Sequence, residues 1–175
     1  MCEGTEQTEQ NTDRLAYATV SSSKGDFTYS NTCTDTYGSE SIRSWKFSAD
    51  ASQSENASAL LYLQSLNSFD LSGKALELDV KFEGGAQKLG IAFYDGNWKA
   101  LTDTVWASGN GASGWQTITM DDAVFEAVLK SGMSLNGVNF LNFTFNFADN
   151  AGKAQNVYID NLRIVNDKAT EATES

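Results

Sequence analysis

Residues 75–83 read ALELDVKFE, and their alternation decides the fold class: Leu76, Leu78, Val80 and Phe82 share one face, while Glu77, Asp79, Lys81 and Glu83 share the other. A strict period of two over nine residues is the pattern of a strand buried on one side. Working outward, Gly84-Gly85 predicts a turn, and 88–94 (KLGIAFY) continues the apolar face with Leu89, Ile91 and Phe93. Asp95-Gly96-Asn97 is the next turn, followed by 98–106 (WKALTDTVW), a glycine-punctuated stretch to Gly114, and 115–120 (WQTITM). Asn136-Gly137 opens 138–147 (VNFLNFTFNF), and Asp149 to Gly152 turns the chain into 156–165 (NVYIDNLRIV). Upstream, 15–20, 26–30, 42–48 and 59–66 also read as strands. Only 121–131 (DDAVFEAVLKS) has a helical stripe, with Asp121 or Asp122 to cap it and Gly132 to end it. Short strands about ten residues apart, separated by turn signals, predict an antiparallel sandwich or barrel.

The composition excludes several chemistries. The 175 residues include no histidine, so Ser-His-Asp and Cys-His machinery and His-ligated zinc are ruled out. Twelve basic against 23 acidic residues leave a net charge of −11, which repels nucleic acid and disfavours anionic membrane surfaces. No apolar run approaches the roughly 20 residues of a membrane span. Residues 1–13 and 167–175 are polar and rich in Thr and Glu, and read as linker around one domain at 14–166. Such flanks predict a monomeric module of a larger protein. Its start has no signal-peptide pattern. Cys2 and Cys33 leave three readings open: a disulfide, two free thiols, or a lipid-bearing Cys2.

Glu77, Asp79 and Glu83 form the sharpest enzymatic signal. Residues i and i+2 on a strand lie about 6.8 Å apart, near the spacing a retaining glycosidase needs between its carboxyls. Sandwich-type β-glucanases carry Glu-x-Asp-x-Glu or Glu-x-Asp-x-x-Glu on one strand. Lys81 and Phe82 occupy the place of the last acid in those two patterns, so a solvated polar face is the better reading. The stretch Gly109 to Gly114 leads into a strand rather than a helix and is a turn, not a phosphate cradle.

Opposite the Leu/Ile/Phe faces lies a different mixture: Tyr62 and Gln64, Asp79 and Lys81, Gly90, Ala92 and Tyr94, Asn142, Thr144 and Asn146. Rings that stack on flat C–H faces, beside amides and carboxylates that bind hydroxyls, suit a sugar. Gly90 and Ala92 would leave room for a chain to cross the sheet. Trp98 and Trp106 are further stacking candidates at the rim, whereas Trp45 and Trp115 are expected in the core.

The segment Val157-Tyr158-Ile159-Asp160-Asn161-Leu162-Arg163-Ile164-Val165 resembles the last strand of the β-sandwich carbohydrate-binding modules attached to xylanases and other plant-wall hydrolases. Gly114-Trp115-Gln116-Thr117-Ile118-Thr119 is similar to their central strand, and Ala59-Leu60-Leu61-Tyr62-Leu63 to an early one. The resemblance implies an all-β jelly-roll sandwich with one short helix, and an extracellular or cell-surface protein. It implies a non-catalytic module that binds polysaccharide, xylan first and β-glucan next; strand parity, not the resemblance, assigns the contacts to Tyr62, Asp79, Lys81, Tyr94, Asn142 and Asn146, with Trp98 or Trp106 at the rim. It further implies a structural Ca²⁺ ligated by Asp160, with Asp26 as the second ligand. A small β-glucanase-type hydrolase and a protein-binding adhesion domain are the alternatives.

Overall fold

The computed structural model describes residues 2–3, 17–22, 25–38, 43–62, 68–86 and 88–166. The chain folds into two antiparallel sheets facing each other, a jelly-roll β-sandwich. The first sheet is ordered β3 (Phe27–Cys33), β4 (Ser44–Ala49), β11 (Gln155–Asn166), β6 (Lys74–Glu83), β9 (Trp115–Met120). The second is ordered β2 (Tyr17–Ser22), β5 (Ala57–Tyr62), β10 (Phe140–Phe145), β7 (Lys88–Tyr94), β8 (Val105–Ser108). A two-residue β1 (Cys2–Glu3) pairs with Leu162 and Arg163 of β11, so those residues join the sandwich although the sequence reads them as linker.

The inward residues of both sheets are the apolar set of the alternating pattern. Leu76, Leu78 and Val80 of β6 meet Leu89, Ile91 and Phe93 of β7, and Leu141, Phe143 and Phe145 of β10, across one core. Phe47 stacks on Phe145 with ring centroids 4.6 Å apart. Each fully buried side chain of this size contributes about 1.5–3 kcal/mol of transfer free energy, which makes this cluster the main source of stability. Trp45, 5% exposed, lies in it as expected. Gly84 carries the chain from the first sheet to the second at φ 75°, and a Cβ there would stand 2.0 Å from the Ala154 carbonyl oxygen.

Two elements differ from the sequence reading. The helix is only α1 (Asp122–Glu126), capped by Asp121, whose carboxylate accepts from Val124 N at 3.1 Å. It stops early because the following residues pair with a loop: Val128 O accepts from Asp103 N, and Lys130 N donates to Leu101 O. The expected strand 98–106 shrinks to β8, because Asp95 organises a turn through its carboxylate, which accepts from Asn97 N and Lys99 N. Cys33 is a half-buried free thiol, and the side chain of Cys2 lies outside the described residues.

Candidate functional site

The outer face of the second sheet carries the two most exposed tryptophans among the described residues. Strand register sets its rows: Phe140 beside Tyr94, then Leu60, Asn142 and Ala92, then Ser58, Thr144, Gly90 and Trp106. Trp98 sits in the Asp95 turn with φ 64°, a left-handed conformation that costs a bulky residue roughly 1–3 kcal/mol. That backbone lays its indole flat on Phe140, with centroids 4.1 Å apart and planes 19° from parallel. The stack leaves Phe140 3% exposed and Trp98 59% exposed. Trp106 is 45% exposed and lies over Gly90. A Cβ on Gly90 would come within 2.4 Å of the Thr104 methyl and 3.2 Å of the Trp106 ring. The space above Gly90 is therefore filled by this protein's own side chains rather than kept open, and Ala92 is only 4% exposed.

Next to Trp106 the same face ends in a cleft of about 350 Å³ lined by Gly85, Lys88, Ser108, Asn146, Asp149 and Asn150. Lys88 Nζ lies 5.8 Å from the Trp106 ring centroid and 3.8 Å from Asp149 Oδ2. Asn146 Nδ2 donates to that oxygen at 3.0 Å, and Asn150 Nδ2 donates to Gly85 O at 2.7 Å. Lys88, Ser108, Asp149 and Asn150 were not singled out from sequence. Lys88 could have been, since it shares the parity of Gly90, Ala92 and Tyr94.

The expected binding residues thus divide between two faces. Tyr94, Asn142, Asn146, Trp98 and Trp106 share the outer face of the second sheet. Tyr62 pairs there through its backbone with Phe140, but its side chain lies outside the described residues, as does Gln64. Asp79 and Lys81 sit on the outer face of the first sheet, on the far side of the sandwich, and cannot join the same site. Strand parity places a residue inside or outside; it does not say which sheet the strand joins.

On that far face the polar side chains satisfy one another. Asp79, 2% exposed, accepts from Thr117 Oγ1 at 2.6 Å, Asn161 Nδ2 at 2.9 Å and Arg163 Nη1 at 3.2 Å. Arg163 Nη2 binds Glu77 at 3.0 Å. Burial works against the Arg163 charge, but Asp79 and then Glu77 outweigh it and raise its pKa. Both carboxylates of the would-be catalytic pair are thus bridged by one guanidinium. Lys81 pairs with Asp35 and lies over the Tyr158 ring, 4.4 Å from its centroid. Burial and a hydrogen bond to Glu83 push the Tyr158 hydroxyl pKa upward. Trp115 belongs here and not in the core. It shares the register position of Lys81, donates from Nε1 to Asp35 at 3.2 Å, and meets Tyr37 and Tyr158 edge-on or tilted.

The residues implied for calcium do not converge. Asp26 O accepts from Asp50 N, level with Ala154, whereas Asp160 lies six residues further along β11, about 20 Å at strand spacing. Among the described residues no group of three acidic or cysteine side chains is arranged to hold a metal. Asp160 is fully buried, and its oxygens accept from Tyr37 N at 3.0 Å and Asn161 N at 2.8 Å. The Asp160-Asn161 pair builds a β-bulge. The register slips by one residue between Asp160 and Arg163, with Asn161 at φ 49°, a conformation Asn tolerates better than most residues. Asp160→Ala is expected to cost about 1–2 kcal/mol by removing the acceptor of two part-buried N–H donors. Its thermal midpoint should fall equally in EDTA and in calcium, whereas a calcium response present in the parent and lost in the variant would return the residue to a metal-binding role.

No family model and no curated protein sequence matches this chain. Solved structures do. The Family 11 carbohydrate-binding module from Clostridium thermocellum, in complex with a β-1,3-1,4-mixed-linked tetrasaccharide, superposes with a TM-score of 0.58 at 11% identity, covering 94% of this chain and 95% of that one. The chain has the β-sandwich fold of carbohydrate-binding modules. The Family 11 module of the cellulosomal cellulase Lic26A-Cel5E from the same organism superposes with a TM-score of 0.56 at 11% identity over 86% and 87% of the two chains. An exo-β-agarase structure matches with a TM-score of 0.56 at 14% identity, with 89% of this chain against 24% of the larger enzyme. The same β-sandwich fold thus occurs in the Family 11 modules and in about a quarter of the exo-β-agarase chain.

Proposed function

We propose that the chain is a non-catalytic carbohydrate-binding module that holds a β-linked polysaccharide against the outer face of its second sheet. One observation carries this reading: Trp98 and Trp106 stand exposed on a single face, one of them held there by an unfavourable backbone conformation. Exposed indoles on a face that also carries Asn142 and Asn146 supply stacking and hydroxyl recognition together. Mixed-linkage β-glucan is the first ligand to test, because it is the one bound by a fold neighbour; xylan, implied by the sequence resemblance, is the second. The module would anchor an attached hydrolase at extracellular or cell-surface plant-wall glycan, with modest affinity multiplied by the parent protein's other domains. A hydrolytic reading is opposed by the geometry: Glu77 and Asp79 are both tied to Arg163, and Asp79 is only 2% exposed, so the pair does not flank an open cleft. Native gels cast with each soluble polysaccharide should retard the protein without release of reducing sugar. Unretarded migration in both gels would sink the reading, and reducing sugar released by pure protein would restore the enzyme.

A further inference from the structure

We infer that the cleft beside Trp106 is a subsite for one uncharged sugar ring, so that the module selects neutral glycans over uronate-bearing ones. This inference rests on the glycan-binding reading above and deepens it. The cleft's volume, about 350 Å³, is at the small end for ligand sites and suits a single ring rather than a chain. Its polar groups are matched in sign. Lys88 is the cation and Asp149, 3.8 Å away, is its counter-charge, so the pocket as a whole carries no net charge. An ammonium donor next to a carboxylate acceptor fits a hydroxyl, which both accepts and donates. Asn146 and the Gly85–Asn150 hydrogen bond fix the acceptor side in place before any ligand arrives. Lys88, which lines the cleft, lies 5.8 Å from the Trp106 ring centroid, so a sugar in the cleft would neighbour one stacked on the indole. A uronate would bring its own carboxylate beside Asp149, in a protein already carrying −11, with the one cation of the cleft, Lys88, already paired to Asp149.

Titration calorimetry of the full chain with a mixed-linkage glucan hexasaccharide and a xylohexaose, alongside gel retention on polygalacturonate, tests this. Asp149→Ala and Lys88→Met should each weaken the better neutral ligand about tenfold, the loss of one charge-assisted hydrogen bond. Affinity should hold steady as salt rises, because no net charge is paired on binding. Polygalacturonate should not be retained. If Trp106→Ala weakens binding but Asp149→Ala and Lys88→Met bind like the parent, the cleft is not a subsite and only the stacking face stands. Retention of polygalacturonate equal to that of the neutral polymers, or a steep salt dependence, overturns the selectivity. If the parent chain binds none of the three probes, the glycan-binding reading falls first and this inference with it. All variants should be compared by melting temperature, so that a misfolded protein is not scored as a lost subsite.

Discussion

A protein carrying both Trp98→Gly and Trp106→Ala is expected to lose all measurable retention on mixed-linkage glucan and xylan while remaining folded. Removing one well-placed stacking ring from a binding site typically costs 2 kcal/mol or more, roughly thirtyfold in affinity. The two indoles occupy separate rows of the sheet, Trp98 over Phe140 and Trp106 over Gly90, so the losses should add to about a thousandfold. Glycine is the informative choice at position 98, because it takes φ 64° freely and so removes the ring while relieving the backbone. The lost Trp98–Phe140 stack is worth about 0.5–1.5 kcal/mol, partly offset by that relief. Stability should therefore change little, and affinity electrophoresis together with a thermal melt separates the two effects. A double variant that is retained like the parent would falsify the stacking face. Tyr94→Ala, beside Phe140 but half-buried, should fall between parent and double variant.

Arg163→Met is expected to have the opposite signature: a large loss of stability with glycan affinity unchanged in the folded protein. Asp79 is almost wholly buried, and Arg163 supplies its only positive partner among the described interactions. Removing one member of a buried pair costs about 3–5 kcal/mol, because a desolvated charge is left uncompensated. Arg163 is itself partly exposed, which places the expected cost near the lower end, about 3 kcal/mol. For a domain of this size that is roughly a 6–12 °C drop in melting temperature. Adding Asp79→Leu should recover part of the loss, since the stranded carboxylate goes with it. If Arg163→Met instead left the melt unchanged and abolished retention, the binding face would belong to the first sheet, and the division of residues between the faces would be wrong.

The alternation in ALELDVKFE, KLGIAFY and FLNFTFNF reports which side chains point inward, and every inward residue it names in those strands is in the core. Turn positions such as Gly84-Gly85 and Asp95-Gly96-Asn97 were legible too, because left-handed backbone and carboxylate-capped turns leave local residue signatures. Where neighbours far along the chain compete for the same backbone groups, local signals failed. The helix after Asp121 ends at Glu126 once Val128 and Lys130 bond to Asp103 and Leu101. Trp115 was expected inward as the ring that opens the strand Gly114-Trp115-Gln116-Thr117-Ile118-Thr119, yet it shares the parity of Thr117 and Thr119 and lies against Tyr158 and Asp35. Here parity was the better guide than hydrophobicity.

For the candidate site, the sequence by itself determined an aromatic and amide surface free of histidine chemistry, on strands of period two, and it named Trp98, Trp106, Tyr94, Asn142 and Asn146. Only the tertiary structure decided that Asp79 and Lys81 belong to the opposite sheet, that Asp160-Asn161 is a bulge, and that Lys88, Ser108 and Asp149 close the cleft beside Trp106. The physical reason is range. Inward or outward facing is set by backbone geometry within one strand, so it can be read residue by residue. Which strands become neighbours is set by burial of the whole apolar surface at once, in pairings between segments far apart in sequence. Side chains such as Lys88 on β7 and Asp149 after β10 meet only because that global packing brings their strands side by side.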